Sequence, residues 1–218
     1  MSIEKASFSF AKELFTRRIA ELRKKFASSS TILTMEEFMQ AVPGLTKTNA
    51  DKYYSSLVSC LIKYGITSKL RIAHFLAQVG HECIAFSCMA EAGYLSAAKR
   101  KAYYLKTYGS RPSIIPNPNG DMNTWFIGRG AIQLTHDYNY KSYSKEVGRN
   151  DILTNPSLIE TDPQLALDVA GWYWSKWSLN TYADQDNLLT ITKKINGGYN
   201  NIEDRKSRLE IAKRIFGI

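Results

Sequence analysis

Long apolar runs are missing from this chain, and so is a complete set of paired cysteines. No stretch of the 218 residues approaches the roughly 20 apolar residues that a membrane-spanning helix needs. The first ten residues are mixed polar and apolar, and no apolar core with a cleavage pattern follows, so no secretory signal is legible. Only three cysteines are present, Cys60, Cys83 and Cys88, and an odd number excludes a closed disulfide framework. No pair of them has zinc-ligand spacing, and the bland reading is buried thiols; Cys83 with Cys88 is the one pair that an oxidising compartment could join. Acidic residues are the minority: 20 against 29 basic ones, a net charge of +9. A basic surface attracts an anionic partner without choosing among nucleic acid, membrane and cell wall. The basic residues are scattered, and no zinc or helix-turn-helix framework accompanies them, so nucleic acid is not the expected partner.

What is present suits a folded core. Hydrophobic residues make up 44% of the chain and aromatic ones 12%, and alternating strand patterns are scarce. The reading is therefore mostly α, with no internal repeat. Ser9–Phe26 is an amphipathic basic segment, so residues 1–30 are expected to form a helix packed on the domain, with contact to an anionic membrane as its alternative role. Residues 31–218 are the expected catalytic domain. Within it, Thr34 opens a short helix ending near Pro43-Gly44, and Thr48 or Asn49 opens another that Gly65 stops. Thr67 or Ser68 starts a helix reaching about Phe86, with Ile72, Phe75, Leu76 and Val79 on its apolar stripe. Ala97–Leu105 is a weaker helix, and Gly109–Asn123 is a long Gly/Pro/Asn-rich loop. Asp162-Pro163 is a helix start, Asn187–Ile195 a helix ended by Gly197-Gly198, and Asn201 caps a last one.

Two carboxylates draw attention. Glu82 continues the apolar stripe of Val79 and Phe75, where partial desolvation raises a carboxyl pKa and suits a general acid. Glu91 lies nine residues on, and a chain reversal between them lets the two carboxyls serve one bond, the equipment of glycoside hydrolysis. Glutamate pairs at this spacing also arise by chance, and the spacing alone decides little.

The chain resembles glycoside hydrolase family 19, which holds lysozyme-like plant chitinases and many phage endolysins. The resemblance rests on FLAQVGHE at 75–82, GRGAIQLT at 128–135 with Asn139-Tyr140, NPSLIETDPQLALDVAGWYW at 155–174 and ITKKINGGYNNIEDR at 191–205. It implies a single bilobal, lysozyme-like helical domain with a substrate cleft and an inverting mechanism without a cofactor or metal. It implies Glu82 as general acid, Glu91 as general base by the endolysin-like spacing, and Thr135 as holder of the water. Gln133, Asn139 and Asn196 match amides that bind the sugar chain, and Arg205 an arginine near the carboxylates. Tyr94 and Trp125 are candidates for the cleft rim, whereas Trp172, Trp174 and Trp177 at helical spacings are candidates for the core. Asp121 is the alternative base. Cys83, Ile84 and Ala85 depart from the small or glycine residues common after the His-Glu pair, and Ile127 stands where a basic residue is common. With the charge and the missing signal, the endolysin branch is the expected one. The corresponding activity is a muramidase cutting peptidoglycan glycan strands, with a chitinase, or an inactive wall-binding protein, as alternatives. That reading places synthesis in the bacterial cytoplasm, release by a holin or a secretion system, and a monomeric enzyme.

Overall fold

The computed structural model describes residues 31–218, so the expected helix of residues 1–30 lies outside the described residues. Met35–Ile218 forms one compact unit, and its architecture follows from two helices that have almost no solvent face. In α3 (Lys69–Glu82) every residue from Ile72 to Gly80 is buried. In α8 (Pro163–Lys176) the same holds from Leu165 to Trp172, and for Trp174. A helix apolar all round must be wrapped by others. The wrapping is done by α1 (Met35–Ala41), α2 (Lys47–Lys63) and α11 (Ile202–Phe216): α11 lies along α3 and α1, and α2 along α8. Phe75 and Trp174 meet edge-on at 5.3 Å. Gly171 lets α2 approach α8 closely, because a Cβ there would stand 2.2 Å from Tyr64 Cδ2 and 2.5 Å from Cys60 Sγ.

Caps fix the ends of these helices. Thr46, Ser68, Asp162 and Asn187 each accept a backbone N–H of the following turn through the side chain. The second of the expected helices therefore starts earlier than Thr48, because Thr46 Oγ1 captures the N–H of Asn49 at 3.2 Å. Gly65 is left-handed as a C-terminal stop requires. Asn201 is itself left-handed and makes no side-chain cap, so its expected capping role is corrected.

A smaller lobe is built on its own core. In α4 (Ala97–Tyr108) only Tyr104 is fully buried, and it joins Ala92, Ile114, Ile115, Trp125 and Ile127 in a separate apolar cluster. The long loop folds over this cluster, with one turn of 3-10 helix at Met122–Thr124. The remaining helices are α5 (Asp137–Val147), α6 (Asp151–Thr154), α7 (Leu158–Thr161), α9 (Leu179–Asp184) and α10 (Leu188–Asn196). Among the described residues there is no sheet, only two isolated bridges, Ala90 with Arg129 and Arg129 with Leu134. Also among them, no helix is long and apolar enough to cross a membrane. The fold is mostly helical, with a cleft.

All three thiols are free. Cys83 Sγ–H donates to the Val79 carbonyl at 2.8 Å and Cys88 to that of Ala90 at 2.9 Å, so the thiols of the one candidate pair are each engaged with backbone.

Candidate active site

The helix expected to reach Phe86 stops at Glu82. The chain then turns left-handed through Ile84, Ala85 and Phe86 and reaches an isolated bridge at Ala90. It is pinned where Ala90 pairs with Arg129 and Glu91 N–H donates to the Gly128 carbonyl at 2.9 Å. The reversal brings Glu82 and Glu91 into one cleft of about 540 Å3, whose walls also carry Thr135, Gln133, Asn196 and Tyr94.

Glu82 has a 16% exposed side chain and accepts from Arg205 Nη2 at 2.5 Å. Arg205, fully buried in α11, also donates through Nη1 to Gln78 Oε1. Gln78 in turn donates from Nε2 to Thr192 Oγ1 at 2.9 Å. This chain fixes the amide orientation of Gln78, since a guanidinium can only donate. One residue before Glu82, His81 Nδ1 lies 2.6 Å from Asp204, a structural role facing away from the cleft.

Glu91 is held differently, by neutral donors. The hydroxyls of Tyr103 and Tyr108 both donate to its Oε1, at 2.8 and 2.7 Å, and Tyr104 donates to its backbone carbonyl. Burial first, and then the Glu91 carboxylate, raises the Tyr108 hydroxyl above the ordinary phenol range, and the same causes raise Tyr103. Both therefore remain donors at any working pH. Oε2 receives no protein donor among the described residues, which leaves it available to water.

Gly128 is the point where the site converges. A Cβ there would stand 3.0 Å from Gln133 Oε1 and 3.4 Å from both Glu91 Cβ and Thr135 Oγ1. Thr135 Oγ1 donates to the Gln133 carbonyl at 2.9 Å, so its lone pairs are what it offers to a water. Gln133, left-handed at φ 55°, donates to the Gly130 carbonyl at 3.1 Å. Asn196 lines the cleft, and its Oδ1 is buried with no partner among the described residues. Tyr94 is 76% exposed at the cleft edge.

Several sequence-based expectations need revision. Trp125 is not on the rim: it is fully buried in the small-lobe core, with Nε1 donating to the Asn117 carbonyl at 2.9 Å. Trp172 and Trp174 are core, but Trp177 is 43% exposed. Arg205, expected near the carboxylates, pairs with Glu82. Asp121 lies outside the cleft and caps the 3-10 turn, accepting from Asn123 N–H at 2.9 Å, which removes it as an alternative base. Asn139 does not line the cleft; its Nδ2 donates to the Thr135 carbonyl at 2.9 Å and steadies that residue from behind. Tyr103 and Tyr108 join the site without a sequence signal, and Gln78 and Thr192 join it from inside quoted motifs in which they were not singled out. The weak periodicity of α4 hides which tyrosines face Glu91, and Gln78 and Thr192 sit within apolar helix faces. Among the described residues no group of three or more His, Cys, Asp or Glu side chains gathers as a metal site.

The class I chitinase model of glycoside hydrolase family 19 matches residues 13–207. A family 19 domain-containing protein of Haemophilus influenzae is 32% identical over 70% of this chain and 83% of its own length. An endochitinase of Arabidopsis thaliana is 36% identical over 62% of this chain, which spans only 41% of that protein. Chitinase C from Streptomyces griseus shares the fold, with a TM-score of 0.66 at 24% identity, over 87% of this chain and 78% of that one. These matches overturn the expected endolysin branch, since the matching model and the named enzymes are chitinases. The muramidase activity, the lysozyme terms and the peptidoglycan partner are corrected with it, because they rested on a carboxylate spacing and a net charge, neither of which identifies the polymer. With the model covering most of the chain and the Haemophilus relative aligned over most of its length, this protein belongs to glycoside hydrolase family 19.

Proposed function

We propose that the protein is a chitinase, hydrolysing the β-1,4 bond between N-acetylglucosamine residues with inversion. The observation that carries the reading is the single cleft shared by Glu82, Glu91 and Thr135 in a chain matched by the class I chitinase model. Glu82 gives its proton to the glycosidic oxygen as the C1–O bond breaks. Glu91 takes a proton from the water that Thr135 helps to hold, and that water forms the new bond at C1 from the opposite face. The two carboxyls exchange protonation states, and bulk water restores them. Arg205 stabilises the charge left on Glu82 and holds its carboxylate in place. The side-chain amides of Asn196 and Gln133 on the cleft wall are of the type that hydrogen-bonds acetamido and hydroxyl groups.

The test is hydrolysis of N-acetylglucosamine tetramer to hexamer, followed by proton NMR and chromatography. The expected first product is the α-anomer. Glu82→Gln, which keeps the shape and removes the proton, should lower kcat by roughly 10²–10⁴-fold. No cleavage of any oligomer by the wild-type protein, or full activity in Glu82→Gln, would overturn the reading.

A further inference from the structure

The turn between the two glutamates has an unusual backbone. Ile84, Ala85 and Phe86 all have positive φ, at 50°, 50° and 63°. Residues with a Cβ visit this region singly when they visit it at all, and a β-branched residue is the least suited to it. The conformation persists because its neighbours over-determine it. Ala85 N–H donates to the Gly80 carbonyl at 2.8 Å, and Cys88 N–H to that of Cys83 at 3.0 Å. Phe86 is buried, edge-on to Phe38 at 5.0 Å and tilted against Tyr53 at 5.9 Å. Ala85 is buried as well.

Ile84 has no such part in the core. The residue is 54% exposed and lines the same cleft as Glu82. Glycine would adopt the same backbone freely, so folding alone does not call for isoleucine here. Strain of this kind is retained where the site uses it. Ile132 and Ile195 line the same cleft, so Ile84 is one of three isoleucines among its polar groups.

We propose that Ile84 is a specificity-determining residue, packing on the acetamido methyl of a sugar bound next to Glu82 and so selecting N-acetylated over deacetylated units. The inference rests on the chitinase reading and deepens it. An acetamido methyl gains by covering isoleucine, whereas the ammonium of a deacetylated unit would lose water against it and gain no hydrogen bond from it. The protein's net charge of +9 acts in the same direction, disfavouring a cationic chain.

The experiment compares wild type, Ile84→Val and Ile84→Gly on fully acetylated hexamer and on partly deacetylated chitosan, with thermal melts of all three. For Ile84→Gly, kcat/KM on the acetylated hexamer should fall roughly ten-fold or more, within the range that one small apolar contact supplies, mainly through KM. Its preference for acetylated units should shrink by a similar factor. Ile84→Val should keep most of both. The melting temperature of Ile84→Gly should be no lower than that of wild type, because relief of the left-handed Cβ offsets the added freedom of the unfolded chain. A marked drop in melting temperature would make Ile84 a folding residue and overturn the proposal. So would an unchanged preference in an active Ile84→Gly enzyme. Failure of the wild type itself to cleave acetylated oligomers would instead remove the chitinase reading, and this inference with it.

Discussion

Glu82 and Glu91 are held by donors of different kinds. A guanidinium fixes the first, and two tyrosine hydroxyls fix the second. The less visible part of the arrangement is the buried relay behind Glu82, in which Gln78 binds Arg205 on one side and Thr192 on the other. Arg205 already has an Nε without a partner among the described residues, so Gln78 is what keeps its Nη1 satisfied. Gln78→Leu should leave a second buried donor unpaired, costing about 1.5–3 kcal/mol of stability. The guanidinium would then settle elsewhere and carry Glu82 with it. A displacement of about 1 Å is worth up to roughly 10²-fold in rate, so kcat on the hexamer should fall at least ten-fold with little change in KM. Gln78→Glu pairs Arg205 electrostatically and should recover the stability but not kcat, because it competes with Glu82 for the same cation. Thermal melts and steady-state kinetics of the two variants separate these effects. Equal loss of kcat and of stability in both would make Gln78 merely a packing residue.

Helices with caps and sustained periodicity are legible in the amino-acid sequence, and those without are not. Ser68, Asp162 and Asn187 cap where their sequence context indicates, and α3 and α8 announce themselves by long apolar faces. The four-residue turns at 151–154 and 158–161 are too short to show a period, and they form because the chain around them is already folded. The end of α3 falls four residues short of its expected place because isoleucine, alanine and phenylalanine carry no signal for a left-handed turn; tertiary contacts of Phe86 impose it. Trp125 differs from expectation for a related reason: an aromatic in a polar loop looks exposed until the apolar cluster beneath the loop is known. Glycine at 171 is legible only as an unfavourable helix residue, yet it sets the spacing of α2 and α8. Gly171→Ala gains about 1 kcal/mol in helix propensity. It also drives a methyl into Tyr64 and Cys60, an overpacking cost of about 1–3 kcal/mol or more. The clash involves a ring and a buried thiol that cannot both retreat, so the melting temperature should fall by several degrees. A rise would mean that α2 slides aside without cost.

The cleft exists only while the small lobe keeps its place against the larger body, and Glu160 of α7 is a principal fastening between them. Its carboxylate accepts from Arg100 of α4 at 3.1 Å and from Arg129 Nε at 3.3 Å. Arg129 is fully buried, donates to the carbonyls of Trp125 and Met122, and belongs to the same Gly128–Arg129 stretch that pins Ala90 and Glu91. Next to it, Gly130 N–H donates to the Met89 carbonyl at 2.8 Å and Ala131 N–H to that of Ala166 at 2.9 Å, so backbone bonds reinforce the ion pairs. Only the arrangement of all these groups turns two distant glutamates into one site, which is why the motifs name the residues but not their walls. Two arginines share one carboxylate, and removing it leaves a buried cation without its counter-charge. Glu160→Ala should therefore destabilise by about 3–5 kcal/mol, the cost typical of a broken buried pair, and Glu160→Gln by less, since its amide oxygen still accepts. The loss should be local before it is global. Hydrogen exchange at the Glu91 and Arg129 amides should quicken in Glu160→Ala while the amides of α3 and α8 stay protected, and chitin-oligomer hydrolysis should fall in step with the Glu91 amide. If exchange instead quickens uniformly through both helices, the two lobes unfold as one cooperative unit, and Glu160 fastens nothing that the rest of the molecule does not already hold.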